Sequence, residues 1–598
     1  MKIGIEIHQR LNTNKLFCNC KSEIGENEAP IMAIQRRLHP VLSELGEIDE
    51  AAKAESQKRR EFEYQVFSNN CLVELDEEPP HKINQEALEA ALQIAHQLNA
   101  VIVPQLNVMR KLVIDGSNTS GFQRTAIIGY GGHIETSKGT VRIETIAIEE
   151  ESAGIVENKE GKATYRLDRL GVPLIEITTD PSIKDAEHLE EVAKKIGLIL
   201  RATGKVARGI GTIRQDLNVS TEGSNRVEIK GAQDLKMLGE IASGEEKRQL
   251  ELIKIIFELR QKNAYPIEAQ IHDLTSIFNN TNAAMIKKGI ESGSGIFGIR
   301  MKNHRGFLGL EIQKGKRYGT ELSDYAKLAG VKGIIHSDED LTKYSISEEE
   351  IEKIKKELKL DEDDAFVMVV APHERAKSAI KNVLARANMD FVPGETRRAN
   401  PDGTTTFMRP IPGKARMYPE TDIPHTKITQ ELIEKSSKGE SLDQKREKLE
   451  KMLNKDMAAN MLKSRNLHLF ERIIEETHVD PVLVATTLEN TVVALKREGF
   501  EFSDLEKTVM ELFREYRKDL FVKAAIPEVL KYMAKGARVD AVLKVYRLQK
   551  ITGLELEKLV SENGCNMPTI MQKYRLQVDP SEVNEIVKKQ KCENPAYR

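Results

Sequence analysis

Hydrophobic and polar positions alternate from the first residues of the chain. In "MKIGIEIHQRL" the side chains of Ile3, Ile5 and Ile7 fall on one side of a β-strand, while Glu6 and His8 project together from the other. That second side is either a solvated face or half of a site. Further on, "RKLVIDGSNTSGFQRTAIIGYGGHIETSKGTVRIETIAIEEE" reads as several strands separated by turn signals, which predicts a large antiparallel sheet. Apolar residues at helical spacing predict helices over 84–99 and 184–203. Residues 1–275 thus read as one α+β body.

Over 276–392 the pattern changes. Strand-like "GIFGIRM", "GFLGLEI", "KGIIHS" and "AFVMVVA" alternate with helical "ELSDYAKLA", "SEEEIEKIKKELKL" and "HERAKSAIKNVLARA", which predicts a compact α+β unit with a core of its own. It reads as an insertion, because "TTTFMRPIPGKARMYPETDIP" returns to the Gly/Pro-punctuated style of the first body, giving that body a second segment at 393–426. Beyond about 427 strand patterns stop. Leu449, Met452, Leu453, Met457 and Met461 mark an amphipathic stripe, and "GCNMPTIMQKY" around 564–574 interrupts the helical pattern. Two helical units are expected there, 427–539 and 540–598. The fold class is α+β: a large antiparallel-sheet domain, an inserted α+β domain and C-terminal helical domains.

Composition narrows the function classes. A chain of 598 residues exceeds one core, so roughly three to five domains are expected. With 90 Lys+Arg against 93 Asp+Glu the net charge is −3, and any nucleic-acid contact must use local patches. Five cysteines in a chain of this size make no disulfide framework, which predicts a reducing, cytoplasmic setting. No run of about 18 apolar residues is present and the N-terminus has charges where a signal peptide needs an apolar core, so neither membrane insertion nor secretion is expected. High charge and the absence of Trp lean towards a thermophilic source.

No stretch matches the GxxxxGK[ST] phosphate loop, and "GSGIFG" at 293–298 leads into a strand, without the helix N-terminus that would hold a pyrophosphate. The informative feature is a set of acids on or beside apolar strands: Glu6 with His8, Glu149 and Glu150 in "IAIEEE", Glu176 in "GVPLIEI" and Asp216 in "TIRQDLNV". Each alone fits a solvated face, but Glu176 lies in an apolar run where an unpaired carboxylate is costly to bury. Two carboxylates 4 Å apart repel by about 4 kcal/mol at an effective dielectric of 20, so a convergent cluster needs cations. Mg²⁺ suits carboxylates and nucleotide phosphates, and His8 makes Mn²⁺ compatible. Arg110, Lys111 and Arg124 flank "LVIDGSNTSGFQ", where Ser117 and its neighbours offer donors to phosphate; an ordinary polar hairpin explains the same letters. Cys18 and Cys20 are spaced too closely for the usual zinc knuckle and only Cys71 is near, so no structural zinc is expected.

Taken together, "GIEIHQRLNT", "KLFCNC", "LVELDEEPPH", "RKLVIDGSNTSGFQRT", "LDRLGVPLIEI", "LRATGKVARGIGTIRQDLNVS", "RVEIKGAQDLKML" and "ARMYPETDIP" resemble, in order over the first 425 residues, the glutamyl-tRNA(Gln) amidotransferase B/E family, on its archaeal E-type branch. The resemblance implies a cradle (kinase/transamidase) domain at 1–275 and 393–426. It makes 276–392 similar to the insertion of bacterial-type aspartyl-tRNA synthetases, and the end of the chain similar to a helical domain with a YqeY-like tail. It implies a ligase that uses ATP and Mg²⁺ to phosphorylate the glutamate side chain of Glu-tRNA(Gln), with ammonia from an asparaginase-like D-type amidotransferase partner in a D2E2-type hetero-oligomer. Metal ligands then fall on Glu6, His8, Glu149 or Glu150, Glu176 and Asp216, while Arg226, Glu228 and Lys230 match a motif without assigned roles. Where the family often has "LEEDA" this chain has "IEEESA", which leaves the acidic ligand open among Glu149, Glu150 and Glu151. Two other classes compete: a tRNA-binding scaffold serving a separate kinase, and an ATP-dependent ligase acting on a free amino acid.

Overall fold

The computed structural model describes residues 1–593 apart from 26–27, 43–45, 50–51, 53–54, 57–59, 160, 412 and 414–415. Its contacts divide the chain into two compact units, Met1–Gly439 and Glu440–Arg598.

The first unit is built on an eleven-stranded sheet. In chain order the strands are β1 (Lys2–Arg10), β2 (Val101–Ile102), β3 (Met109–Leu112), β4 (Phe122–Thr136), β5 (Gly139–Glu150), β6 (Pro173–Thr179), β7 (Ile213–Ser220), β8 (Val227–Lys230), β9 (Glu395–Ala399), β10 (Thr405–Pro410) and β11 (Met417–Pro419). Across the sheet the order is β10-β9-β8-β7-β1-β6-β5-β4-β3-β11, with β2 added on β4. Every pairing is antiparallel except β8 with β9, where the chain rejoins the sheet after the long excursion between them. The first strand of the chain is therefore central. Ile3, Ile5 and Ile7 are fully buried, as the alternation predicts. Gly4 permits a close approach: a Cβ there would lie 3.2 Å from the Thr179 carbonyl oxygen.

Helices that contribute to the cores of this unit include α1 (Gln85–Gln97), α2 (Ala186–Ala202) and α3 (Leu238–Gln261). Asn84 caps α1 by accepting the Ala87 N–H, and Asp185 caps α2 by accepting that of His188, so both predicted helices start on a residue built for that role.

A second, four-stranded sheet is centred on Gly295–Met301 and Ala365–Ala371 of the 276–392 segment, with Ile335–His336 on one edge and His272–Asp273, from just ahead of the segment, on the other. Its cores are less self-contained than the sequence predicts. Leu252, Ile255, Ile256 and Leu259 of α3 pack with Phe297, Ile299, Val367, Val369 and Ile380 in one cluster, while a second cluster is made from Leu274 onward. A buried ionic network ties the same elements together. Arg248 of α3 lies 2.8 Å from Glu321 on helix α4 (Tyr318–Ala326) and 3.1 Å from Glu395 on β9. Arg386 and Arg397 also reach Glu321, at 3.2 and 3.3 Å. All five side chains are 0–1% exposed.

In the second unit the predicted Leu449–Met461 stripe is split into two helices, Leu442–Met452 and Lys455–Lys463, because Asn454 caps the latter by accepting the Met457 N–H. One core runs from Leu449 to Leu548; a smaller one gathers Leu556, Leu559, Val560, Ile570, Val578, Val583 and Val587. The helix Gly553–Glu562, ahead of the 564–574 interruption, belongs with the helices that follow it. Among the described residues no helix is long and apolar enough to cross a membrane.

Candidate active site

Strand register assembles the site. β1 pairs with β6 so that His8 is directly opposite Glu176, and with β7 so that Glu6 is opposite Asp216. Directly opposed residues share a sheet face. Glu149 on β5 is opposite Leu174 on β6, one diagonal step from Glu176. Residues far apart in sequence are thereby brought onto one face around a cavity of about 550 Å³.

The centre of the cluster is the His8 imidazole. Its Nε2 lies 3.3 Å from a Glu6 oxygen, 3.5 Å from Glu149 and 3.3 Å from Glu176. Ligand atoms of His8, Glu149 and Glu176 lie within 4.8 Å of one another, and so do those of Glu6, His8 and Asp216. His8 is thus shared by two potential ligand groups. Lys111 approaches Glu149 at 3.4 Å and Glu176 at 3.6 Å. On the other flank Lys230 bridges Asp216 at 2.8 Å and Glu228 at 2.6 Å. Gly231 completes that flank: its φ of +81° lets the N–H turn inward and donate to Asp216 Oδ1 at 2.9 Å.

Electrostatics follow from this crowding. Burial, then the neighbouring Glu176, pushes the Glu6 carboxyl up to about 7. Burial alone would lower His8, but its hydrogen bond to Glu176 and the charges of Glu149, Glu176 and Glu6 raise it to about 9. Glu176 is held well below the usual carboxylate range, because Lys111 and His8 outweigh its burial. Lys230 and its hydrogen bonds bring Glu228 down to about 2 against burial. Even so, the His8 and Lys111 contacts to the buried Glu176 Oε2, at 3.3 and 3.6 Å, are long, and no well-aligned donor completes its hydrogen bonding among the described residues. A buried carboxylate oxygen left in that state, in a pocket of hard oxygen donors with one imidazole, fits a divalent cation of the Mg²⁺ or Mn²⁺ type.

The three consecutive acids part company. Glu149 faces the pocket; Glu150, on the alternate side of β5, accepts the Arg124 N–H at 2.9 Å; Glu151 is ion-paired with Arg10, Arg169 and Arg214. The remaining phosphate candidates also separate. Lys111 lines the pocket, whereas Arg110 and Arg124 both bind Glu420, at 2.5 and 2.7 Å, and stand over the Phe122 ring. Ser117 is held in its turn by donating its N–H to Asp115. So Arg110, Ser117 and Arg124 do not join the cluster around His8. Their sequence proximity misled because Glu420, the residue that occupies both arginines, comes some 300 positions later.

Two features escaped the sequence. Glu228 and Lys230 had no role, although alternation in "RVEIK" places them on one face. Glu74 joins Cys18, Cys20 and Cys71 in a second compact cluster, accepting from the Cys18 thiol at 2.9 Å and the Cys71 N–H at 2.8 Å. The fully buried Lys15 ammonium lies 3.1 Å from the same carboxylate. Burial and Glu74 push the Cys71 thiol up to about 12.

A family model described as the GatB/GatE catalytic domain matches residues 1–434, the segment that carries every strand of the large sheet and the whole pocket. The chain belongs to the GatB/GatE family. This is a family of amidotransferase enzymes, ligases that form carbon–nitrogen bonds. Among its relatives are proteins named as the E subunit of glutamyl-tRNA(Gln) amidotransferase: one from Sulfurisphaera tokodaii, 43% identical over 98% of both chains, and one from Methanocaldococcus jannaschii, 42% identical with the same coverage. A third, from Sulfolobus acidocaldarius, is 45% identical over 94% of this chain and 90% of its own. The alignments with these relatives extend the resemblance drawn from eight motifs in the first 425 residues to almost the whole chain.

Proposed function

We propose that the pocket around His8 phosphorylates the side-chain carboxylate of a glutamate esterified to tRNA(Gln), as the first half of its conversion to glutamine. The observation that carries this reading is the clustering of Glu6, Glu149, Glu176 and Asp216 about one imidazole, flanked by two lysines, in a cavity of about 550 Å³. The names borne by the relatives support the substrate.

A carboxylate is a poor electrophile with a poor leaving group. In the proposed step its oxygen attacks the γ-phosphorus of ATP, the bond from that phosphorus to the β-bridging oxygen breaks, and ADP departs. Ammonia then adds to the acyl phosphate carbon and expels inorganic phosphate. Glu6, His8, Glu149, Glu176 and Asp216 would hold Mg²⁺ or Mn²⁺, which when bound supplies charge neutralisation to the transferring phosphoryl group. Lys111 holds Glu149 and Glu176 in place, Lys230 holds Asp216, and the Gly231 N–H orients Asp216. The lysines also keep the cluster tolerable before substrate arrives. Ammonia would come from an asparaginase-like partner, with the helical unit Glu440–Arg598 contacting tRNA. The Cys18–Cys20–Cys71–Glu74 group, with Lys15 3.1 Å from its carboxylate, has no part in the proposed step.

The first stage of the test needs no ammonia donor. The full chain with ATP and Mg²⁺ should release ADP only when the tRNA(Gln) supplied is glutamylated, and free ammonium ion should then convert the esterified glutamate to glutamine with one ADP for each glutamine formed. ADP formation that ignores whether the tRNA is glutamylated would refute the reading.

A further inference from the structure

The acids of the pocket are all served by Lys111, Lys230 or His8, and yet further cations line it. Arg214 is spoken for by Glu151 at 3.1 Å. Arg416 is not: it lines the cavity, and its hydrogen bond among the described residues is a long one from Nε to the Leu112 carbonyl, 3.4 Å. Three acids act electrostatically on Arg416, and each is engaged elsewhere. Glu228 is held by Lys230 and Thr396, Asp49 by the Ala52 and Gly413 N–H groups, and Asp115 by the Ser117 N–H. Arg409, on β10, is near enough to repel Arg416 electrostatically, and its Nε is buried without an acceptor among the described residues.

Two guanidiniums that repel each other are therefore kept together next to a pocket, without a carboxylate within ion-pair distance among the described residues. Burial and Arg409 hold Arg416 below the ordinary guanidinium value, and Arg416 in turn works against the charge on Lys111. Such a pair is unfavourable until an anion joins it, and a planar fork of N–H donors matches phosphate oxygens bidentately. Met417, the next residue, is directly opposite Lys111 in the β3–β11 pairing, which ties the pair to the edge of the carboxylate cluster.

We propose that Arg416, backed by Arg409, is the seat for the terminal phosphates of the nucleoside triphosphate, with Arg416 donating directly to phosphate oxygen. This rests on the kinase reading above and adds to it the residues that hold the phosphates. Arg226, at the exposed rim of the same cavity, is placed to meet a phosphate further along. The shared chemistry, a phosphate oxyanion, also occurs in the tRNA backbone, so the experiment separates the two.

The test measures binding of ATP with Mn²⁺, of AMP, and of uncharged tRNA to the full chain, for wild type, Arg416→Gln, Arg416→Lys and Arg409→Gln. The expected result is a tenfold to hundredfold loss of ATP affinity in Arg416→Gln, in the range of a charge-assisted hydrogen-bond pair, with AMP and tRNA affinity unchanged. Arg416→Lys should keep part of the loss from appearing, and Arg409→Gln should show a smaller one. Inorganic tripolyphosphate should compete with ATP on wild type and about tenfold less well on Arg416→Gln. Unchanged ATP binding in both Arg416 variants, with wild type binding normally, overturns the seat and leaves the kinase reading standing. Weakened tRNA binding with normal ATP binding also overturns it, by assigning the arginines to the nucleic acid. A wild type that fails to bind ATP with Mn²⁺, with or without tRNA, overturns both. Thermal midpoints within a few degrees of wild type establish that the variants fold, and Arg416→Lys, which keeps the charge, carries the test if Arg416→Gln does not.

Discussion

The proposed binding of a divalent cation at His8 has to compete with a proton, and the structure sets how strongly. The metal takes neutral imidazole, whereas His8 in the metal-free protein holds its proton up to about pH 9, through its hydrogen bond to Glu176 and the charges of Glu149 and Glu6, against the effect of burial. Removing that proton at pH 7 costs about 3 kcal/mol, close to a hundredfold in affinity. Glu6, raised to about 7 chiefly by burial, adds a second proton to displace below neutrality. Mn²⁺ affinity should therefore rise roughly tenfold per pH unit between 7 and 8.5, and more steeply between 5 and 7. Titration calorimetry in two buffers of different ionisation enthalpy should report about one proton released per ion at pH 8, and more at pH 6.5. The linkage has the opposite sign without metal. Both groups have folded values above their unfolded ones, so the stability they contribute is complete at low pH and is lost as pH rises through about 7 for Glu6 and about 9 for His8. Mn²⁺ affinity that is flat from pH 6.5 to 8.5, with no proton release, would refute the placing of His8 among the ligands.

Other consequences are more local. Glu321→Gln leaves three buried guanidiniums short of one charge and should destabilise the first unit by about 3–5 kcal/mol, read as a shifted urea midpoint. Because β9 is anchored in that network and Thr396 on β9 donates to Glu228, the same variant should also weaken Mn²⁺ binding, whereas an equally destabilising core truncation in the second unit should not. Gly231→Ala meets open space but has a φ of +81°, so it should cost about 1–2 kcal/mol and lower metal affinity by loosening Asp216.

Particular residues show where the letters sufficed. Period-two alternation in "GIEIH" places Ile3, Ile5 and Ile7 inside and Glu6 with His8 on one face, because a strand's side-chain period is fixed by its backbone. The partners of that face were individually visible as acids in apolar strands. The strand order β5-β6-β1-β7 that joins them was not, since register depends on contacts between residues far apart in sequence. Alternation also separates Glu149 from Glu150, but which of the two meets the pocket is decided by the pairing of β5 with β6. Arg110 and Arg124 read as phosphate ligands only while Glu420 is out of sight. The α3 residues that complete the inserted segment's core carry the same ambiguity, because an amphipathic helix does not say which of two layers it covers.

The most direct test of the account compares Glu149→Gln with Glu150→Gln, two isosteric changes at adjacent positions whose side chains leave the strand on opposite sides. The measurement is Glu-tRNA(Gln)-dependent release of ADP from ATP by the full chain, without an ammonia donor. The account predicts that Glu149→Gln loses at least a hundredfold in rate, while Glu150→Gln, whose amide oxygen can still accept the Arg124 N–H, stays within a few-fold of wild type. Equal loss in both variants, or loss in Glu150→Gln alone, would contradict it.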